Sequence, residues 1–206
     1  MANSGNKMQI GVLGGTFDPV HIGHLIIAER AREEVSLDKV IFVPAGIPPH
    51  RQETEVSVGH RYQMVRLAAQ GNPNFLVSDV EIKRAGPSYT YDTVQFFLNP
   101  PQSPFCKGGG RGIRIHLILG ADAFQEVGSW YKIKDLVPLV SFVVVPREGA
   151  VLPEKLPEAI NFQSLNVGIF SVSGREIRQR IKTGRSIRYL VPDLVREYIF
   201  KHALYK

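Results

Sequence analysis

An apolar run from Met8 to Leu13 stops on Gly14-Gly15, and a helical periodicity begins shortly afterwards at Ile22. The run is too apolar to face water on either side, so it reads as a buried strand. The stretch from Ile22 to Val35 carries Leu25, Ile26, Ala28 and Val35 at helical spacing, the mark of an amphipathic helix. A buried strand that turns on glycines into such a helix is the opening half of a βαβ unit.

The pattern then repeats. Lys39–Val43 reads as a strand, Val58–Ala69 as a helix ended by Gly71, and Phe75–Val80 as a third strand. Thr90–Leu98 is expected to be a short helix, and 100–112, with its prolines and Gly108-Gly109-Gly110, a loop. Ile113–Leu119 is a strong strand, Trp130–Leu136 a helical stretch and Leu139–Val145 another strand. Residues 146–164 read as irregular and Val167–Phe170 as a last short strand, with helices over Glu176–Lys182 and Pro192–His202. The expectation is one α/β domain over 1–206, with a Rossmann-like, doubly wound, mostly parallel sheet, helices on both faces and a C-terminal helical segment. Ligands of such folds bind beyond the carboxyl ends of the strands, so the residues just after each strand are the ones to search.

Composition narrows the class. No apolar run approaches the roughly 18 residues of a membrane span, and the N-terminus lacks a signal peptide's apolar stretch. Cys106 is the single cysteine, which leaves no internal disulfide and no cysteine-built metal site. A cytoplasmic protein is expected. The net charge of +6 lies entirely in residues 171–206, which hold nine Lys/Arg against three Asp/Glu. A local basic excess fits either a nearby polyanion or a solvated basic helix.

The turn Gly14-Gly15-Thr16-Phe17-Asp18-Pro19-Val20-His21-Ile22-Gly23-His24 carries the chemistry. Two glycines allow close approach of a ligand to the backbone. The helix that follows presents free N–H groups and the positive end of its dipole, which together form an anion site. His21 and His24, three apart, share one helical face and can donate to phosphate oxygens as neutral or cationic imidazoles. Histidines at this spacing also occur in metal sites and on plain surfaces. A metal site would need a third ligand, and no thiolate cluster supplies one. The segment is neither GxGxxG nor GxxxxGK[ST], which disfavours a nicotinamide dehydrogenase or a phosphate-loop ATPase.

GGTFDPVHIGH resembles the GxFxPxHxGH signature of the nucleotidyltransferase superfamily. The resemblance implies that Gly14, Gly15, Thr16, Phe17, His21 and His24 bind ATP, with the two histidines holding phosphates and stabilising the transition state of adenylyl transfer. Further on, Val172-Ser173-Gly174-Arg175-Glu176-Ile177-Arg178 opens a helix. Ser173 and Glu176 fit a capping box, so Ser173 can be a plain cap, although a capped helix start is also an anion site. Arg175, Arg178 and Lys182 lie close to one helical face. The segment is similar to the superfamily's ISSTxIR signature, which implies Ser173 and Arg178 as ligands of the outer phosphates, with Arg178 catalytic beside His21 and His24. Gly174 and Arg175 stand where that signature has Ser/Ala and Thr. Gly184-Arg185-Ser186-Ile187-Arg188-Tyr189-Leu190-Val191-Pro192 is similar to the GxSxxYLVP tail, expected to serve packing and the start of the last helix.

Pro48-Pro49-His50-Arg51, Ser88-Tyr89-Thr90-Tyr91-Asp92-Thr93, and Gly120-Ala121-Asp122 followed by Trp130-Tyr131 occur in the order found in the bacterial nicotinate-nucleotide adenylyltransferase family. This resemblance covers nearly the whole chain. It implies that Trp130 stacks on a pyridine ring and that Thr90 and Tyr131 help receive a carboxylate. It implies further that Arg51 holds a phosphate and that Gly120 and Asp122 belong to the ATP site, Asp122 on a ribose. The implied substrates are ATP, carried with Mg²⁺, and nicotinate mononucleotide. No nucleic-acid or membrane partner is expected, and a homo-oligomer is an open option. A nicotinamide mononucleotide or phosphopantetheine acceptor is the nearest rival. A non-catalytic nucleic-acid binder using the basic C-terminal helix is a distant one that leaves the first turn unexplained.

Overall fold

Runs of Val, Ile, Leu and Phe form the central strands of a sheet that is buried there on both faces. The computed structural model describes residues 7–48, 54–99, 112–146, 160–165 and 172–206. In chain order the elements are β1 (Met8–Gly15), α1 (Ile22–Glu34), β2 (Lys39–Pro44), α2 (Val58–Ala69), β3 (Phe75–Val77), α3 (Val80–Lys83) and α4 (Thr90–Leu98). They continue with β4 (Ile113–Gly120), α5 (Ala121–Gln125), α6 (Ile133–Leu136), β5 (Val140–Val145), β6 (Phe162–Ser164), α7 (Gly174–Lys182) and α8 (Asp193–Lys201). The order across the sheet is β3-β2-β1-β4-β5-β6, and every pairing is parallel. Strand order reverses between β1 and β4, which leaves a crevice beyond their carboxyl ends. Among the described residues no helix is long and apolar enough to cross a membrane.

The pleat sorts alternate side chains onto opposite faces. Ile10 and Val12 of β1, Ile41 and Val43 of β2, and Leu117 and Leu119 of β4 join Val94, Phe97 and Phe124 in one apolar cluster. Leu13, Val40, Phe42, Ile118 and Val143 join the other, together with Ala28, Met64, Ile177, Ile181, Val195, Ile199 and Tyr205. The basic C-terminal segment therefore shares the core that β1 and α1 use. Ile177, Ile181, Val195 and Ile199 point inward, while Leu194, Phe200 and the arginines remain at or near the surface.

Several expected boundaries change. The third strand ends at Val77, three residues short of Val80. The Ser78 hydroxyl accepts the Val80 N–H at 3.3 Å, and the Asp79 carbonyl accepts those of Ile82 and Lys83. These local polar bonds turn the chain into α3. Part of the stretch read as irregular, Phe162–Ser164, is an edge strand paired with β5. Its three exposed residues carry no apolar alternation, so the neighbouring strand supplies its structure. The helical stretch at Trp130–Leu136 contracts to α6, and α8 is capped by Pro192. The short strand expected at Val167–Phe170 lies outside the described residues.

Candidate active site

The turn after β1 is built around aromatic packing. Phe17 sits in the left-handed region at φ 52° and its ring is buried, 3% exposed, in the core cluster under the turn. Any contact it makes with a ligand therefore falls to its backbone. Gly14, exposed, and the half-buried Gly15 and Thr16 lie above it. The His24 ring packs edge-on to Phe17 at 4.9 Å and lies 3.7 Å, centroid to centroid, from the His21 ring.

His21 is the N-cap of α1, and its N–H donates to His24 Nδ1 at 3.2 Å. An imidazole whose Nδ1 accepts a hydrogen bond carries its proton on Nε2 when neutral, so His24 presents Nε2–H as a donor. His21 is 8% exposed, and burial lowers its pKa to about 4. Of the two charge states open at the sequence level, His21 thus takes the neutral one without ligand. The negative charge of a bound triphosphate would work against that shift.

The C-terminal segment closes on this turn. Ser173 caps α7 by accepting the Glu176 N–H at 3.2 Å, while the Glu176 carboxylate lies 3.7 Å from Arg180. A side chain at Gly174 would meet the Asp18 carbonyl oxygen at 2.9 Å, so the residue found where the signature has Ser or Ala permits this close approach. Arg178 donates from Nη1 to the Asp18 carbonyl at 2.6 Å and from Nε to Glu55 at 2.8 Å. Lys182 reaches the other Glu55 oxygen at 2.7 Å, and these two cations hold the Glu55 carboxyl below its ordinary range. Arg175, exposed, instead lines a groove with Gln179, Arg180 and Arg185. The YLVP run takes up an amide of α1: Ile22 N–H donates to the Leu190 carbonyl at 3.0 Å.

Across the crevice, Gly120 ends β4 as the N-cap of α5, and the exposed Asp122 lies in the first turn of that helix. Because β1 and β4 are neighbours, Gly15 and Gly120 open onto the same edge at the point where strand order reverses. Thr90 is the first residue of α4 and half-buried. Trp130 is half-buried against the core cluster of Val94, Phe97 and Phe124. Tyr131 stacks on Tyr89 at 4.4 Å and 27°, which joins the Trp130-Tyr131 segment to the start of α4. The Lys132 ammonium lies 4.8 Å from the centre of the Tyr91 ring. Arg51, Cys106 and most of the 100–112 loop lie outside the described residues.

Three features escape a reading of the sequence alone. Arg61 of α2 is 1% exposed; it donates to the Thr16 carbonyl at 2.7 Å and to the Gly46 carbonyl at 3.3 Å, bracing the turns after β1 and β2. A signal was present: Arg61 lies three and four residues before Met64 and Val65, on the buried face of that helix. Asp18 is held at both carboxylate oxygens, by Tyr205 O–H at 2.7 Å and Glu55 N–H at 2.9 Å. Burial and the Asp18 charge push the Tyr205 phenol well above its ordinary range. Neither Tyr205 nor Glu55 stands in a recognisable motif.

A parallel sheet in this order, with a histidine-bearing helix start and a second basic helix on the first turn, defines a nucleotide-binding α/β enzyme of the nucleotidyltransferase class. A family model described as cytidylyltransferase-like matches residues 12–182. A probable nicotinate-nucleotide adenylyltransferase of Exiguobacterium sibiricum is 40% identical over 199 residues, covering 96% of this chain and 99% of the relative. One from Desulfitobacterium hafniense strain Y51, of the same name, is 42% identical and covers 96% of each. The chain belongs to the nicotinate-nucleotide adenylyltransferase family. Its fold is also that of the Plasmodium falciparum nicotinic acid mononucleotide adenylyltransferase complexed with NaAD, with TM-score 0.75 at 20% identity over 97% of this chain and 98% of the other.

Proposed function

We propose that this chain transfers the adenylyl group of ATP to nicotinate mononucleotide, giving nicotinate adenine dinucleotide and pyrophosphate. One observation carries the reading. Arg178, near the far end of the chain, hydrogen-bonds the main chain of Asp18, three residues before His21, so the two phosphate-binding signatures form one site.

The attacking phosphate of the mononucleotide is already ionised at neutral pH, so the reaction needs no strong general base. It needs in-line alignment at the α-phosphorus and stabilisation of charge on the leaving pyrophosphate, which are tasks of position and electrostatics. His24, with Nε2–H as donor, and His21 serve near the transferring group. Ser173 at the start of α7 and Arg178 hold the leaving end, with Gly14, Gly15 and Thr16 offering backbone. Glu55 now pairs with Arg178 and Lys182 at a partly exposed site, where ion pairs are worth about 1 kcal/mol or less. A triphosphate, which accepts stronger charge-assisted bonds from Arg, displaces it at little cost. Mg²⁺ enters as part of the ATP substrate, held by phosphate oxygens and water.

On the acceptor side, Trp130 offers a ring for stacking on the pyridine. Thr90 and Tyr131 are assigned to the nicotinate carboxylate, Arg51 to the mononucleotide phosphate, and Gly120 and Asp122 to the nucleoside of ATP. The cytoplasm, which holds both substrates, is the proposed compartment.

The test is product analysis after mixing the protein with ATP, Mg²⁺ and, separately, the acid and amide mononucleotides and phosphopantetheine. The acid dinucleotide with stoichiometric pyrophosphate is expected. Preferred turnover of phosphopantetheine or of the amide would replace the acceptor assignment.

A further inference from the structure

Glu81 is the only buried acid among the described residues, 8% exposed, and it lies in no signature of the transfer reaction. Its surroundings are polar. The Thr93 hydroxyl donates to Glu81 Oε1 at 2.6 Å, and the Ser88 hydroxyl also hydrogen-bonds this carboxyl. Ser88 Oγ in turn accepts the Gly46 N–H at 2.9 Å, so its own proton is available to the carboxylate. Arg84 donates to Thr93 Oγ1 at 3.4 Å and to the Tyr89 carbonyl at 3.2 Å. Burial raises the Glu81 pKa, while the two hydroxyl donors and Arg84 oppose it.

The bonds form a chain with direction. Gly46 follows β2, Glu81 lies in α3, Ser88 precedes Thr90 by two residues, and Thr93 lies in the first turn of α4. The Ser88 N–H also donates to the Ile47 carbonyl at 2.9 Å. The packing is tight enough that a Cβ at Gly46 would fall 2.3 Å from the Glu81 carbonyl oxygen. Gly46 O meets Arg61, and Arg61 meets Thr16. One hydrogen-bonded path therefore runs from the histidine-bearing turn to the segment that carries Tyr89 and Thr90.

We infer that Glu81 is a positioning residue for the acceptor: through Ser88 and Thr93 it sets where the start of α4 stands relative to the transferring phosphate. A buried carboxylate with paired donors suits this task, since its removal takes the acceptor from the Ser88 hydroxyl, leaves the Thr93 hydroxyl only the Tyr89 carbonyl at 3.3 Å and frees the loop to shift. The inference rests on the acceptor assignment of the proposed function. A displacement of about 1 Å in a binding loop is enough to change rates and affinities greatly.

The test compares wild type with Glu81→Ala, Glu81→Gln and Thr93→Val by steady-state kinetics, varying each substrate in turn, and by thermal melting. Glu81→Ala is expected to raise KM for nicotinate mononucleotide about tenfold and that for ATP less than about twofold, the pattern of a displaced acceptor loop. Glu81→Gln, which keeps one acceptor oxygen, falls between. Thr93→Val keeps the shape of the side chain and carries the test if Glu81→Ala does not fold. Unchanged acceptor KM in a folded variant, or equal rises for both substrates, overturns the inference. Lack of wild-type turnover with nicotinate mononucleotide overturns the proposed function and this inference with it; normal wild-type turnover confines a failure to Glu81.

Discussion

The main-chain carbonyl of Asp18 accepts a hydrogen bond from Arg178 at 2.6 Å, across 160 positions of sequence. The same aspartate receives Tyr205 on its side chain. One turn thus ties the first signature to the C-terminal segment, and its disturbance should be felt at every part of the proposed site.

Gly174→Ala puts a methyl group 2.9 Å from the Asp18 carbonyl oxygen and 3.4 Å from Arg178 Nη1. The Arg178 side chain can shift, but the Asp18 backbone cannot yield without moving its turn or α7. Overpacking of this kind costs about 1–3 kcal/mol. The expected result is a lower melting temperature and a higher KM for ATP, read by thermal scanning and by kinetics at saturating acceptor.

His24→Ala removes the Nε2–H donor. Loss of one such donor lowers kcat by about two orders of magnitude, while circular dichroism should match wild type because the ring is only half-buried. Unchanged turnover would take His24 out of the mechanism.

Stability should fall on acidification through a defined window. His21 has a folded pKa of about 4 against 6.5 unfolded. Between these values the unfolded chain binds the proton and the native chain does not, so stability rises with pH from about 4 to 6.5 and is flat in this contribution outside that range. The difference corresponds to about 3 kcal/mol at most. Melting of wild type and His21→Asn from pH 4 to 7 measures it: the substitution should flatten the slope in that interval, and an identical slope would contradict the assignment.

Trp130→Ala should raise KM for the mononucleotide more than that for ATP. Some stability loss accompanies it, since Trp130 packs against the core. Calorimetric titration with each ligand separates the two effects: equal weakening of both ligands would make Trp130 a structural residue.

Much of the local geometry of the candidate site is legible in the sequence. The strand-Gly-Gly turn, the paired histidines and the Ser173 cap are local patterns, and local hydrogen bonding and periodicity place them. The Arg175-Arg178-Lys182 face was legible only in part, because spacing cannot distinguish a pair drawn together by Glu55 from an arginine that turns into a neighbouring groove. Arg61 and Glu81 were missed for a related reason: a charged residue tolerates burial only when partners from elsewhere in the chain meet it, and here the Thr16 and Gly46 carbonyls meet the two Nη groups of Arg61 and Ser88 and Thr93 meet the Glu81 carboxyl.

By itself the sequence determined the alternating α/β layout, the buried strands and the local form of the two signatures, since each depends on neighbours within one or two turns of chain. Only the tertiary structure decided that Arg178, Glu55 and Tyr205 gather at Asp18, that burial lowers the His21 pKa, and that the Glu81 carboxyl is buried against Ser88 and Thr93. Those outcomes depend on desolvation and on contacts between residues far apart in sequence, which exist only once the sheet has brought the carboxyl ends of its strands together.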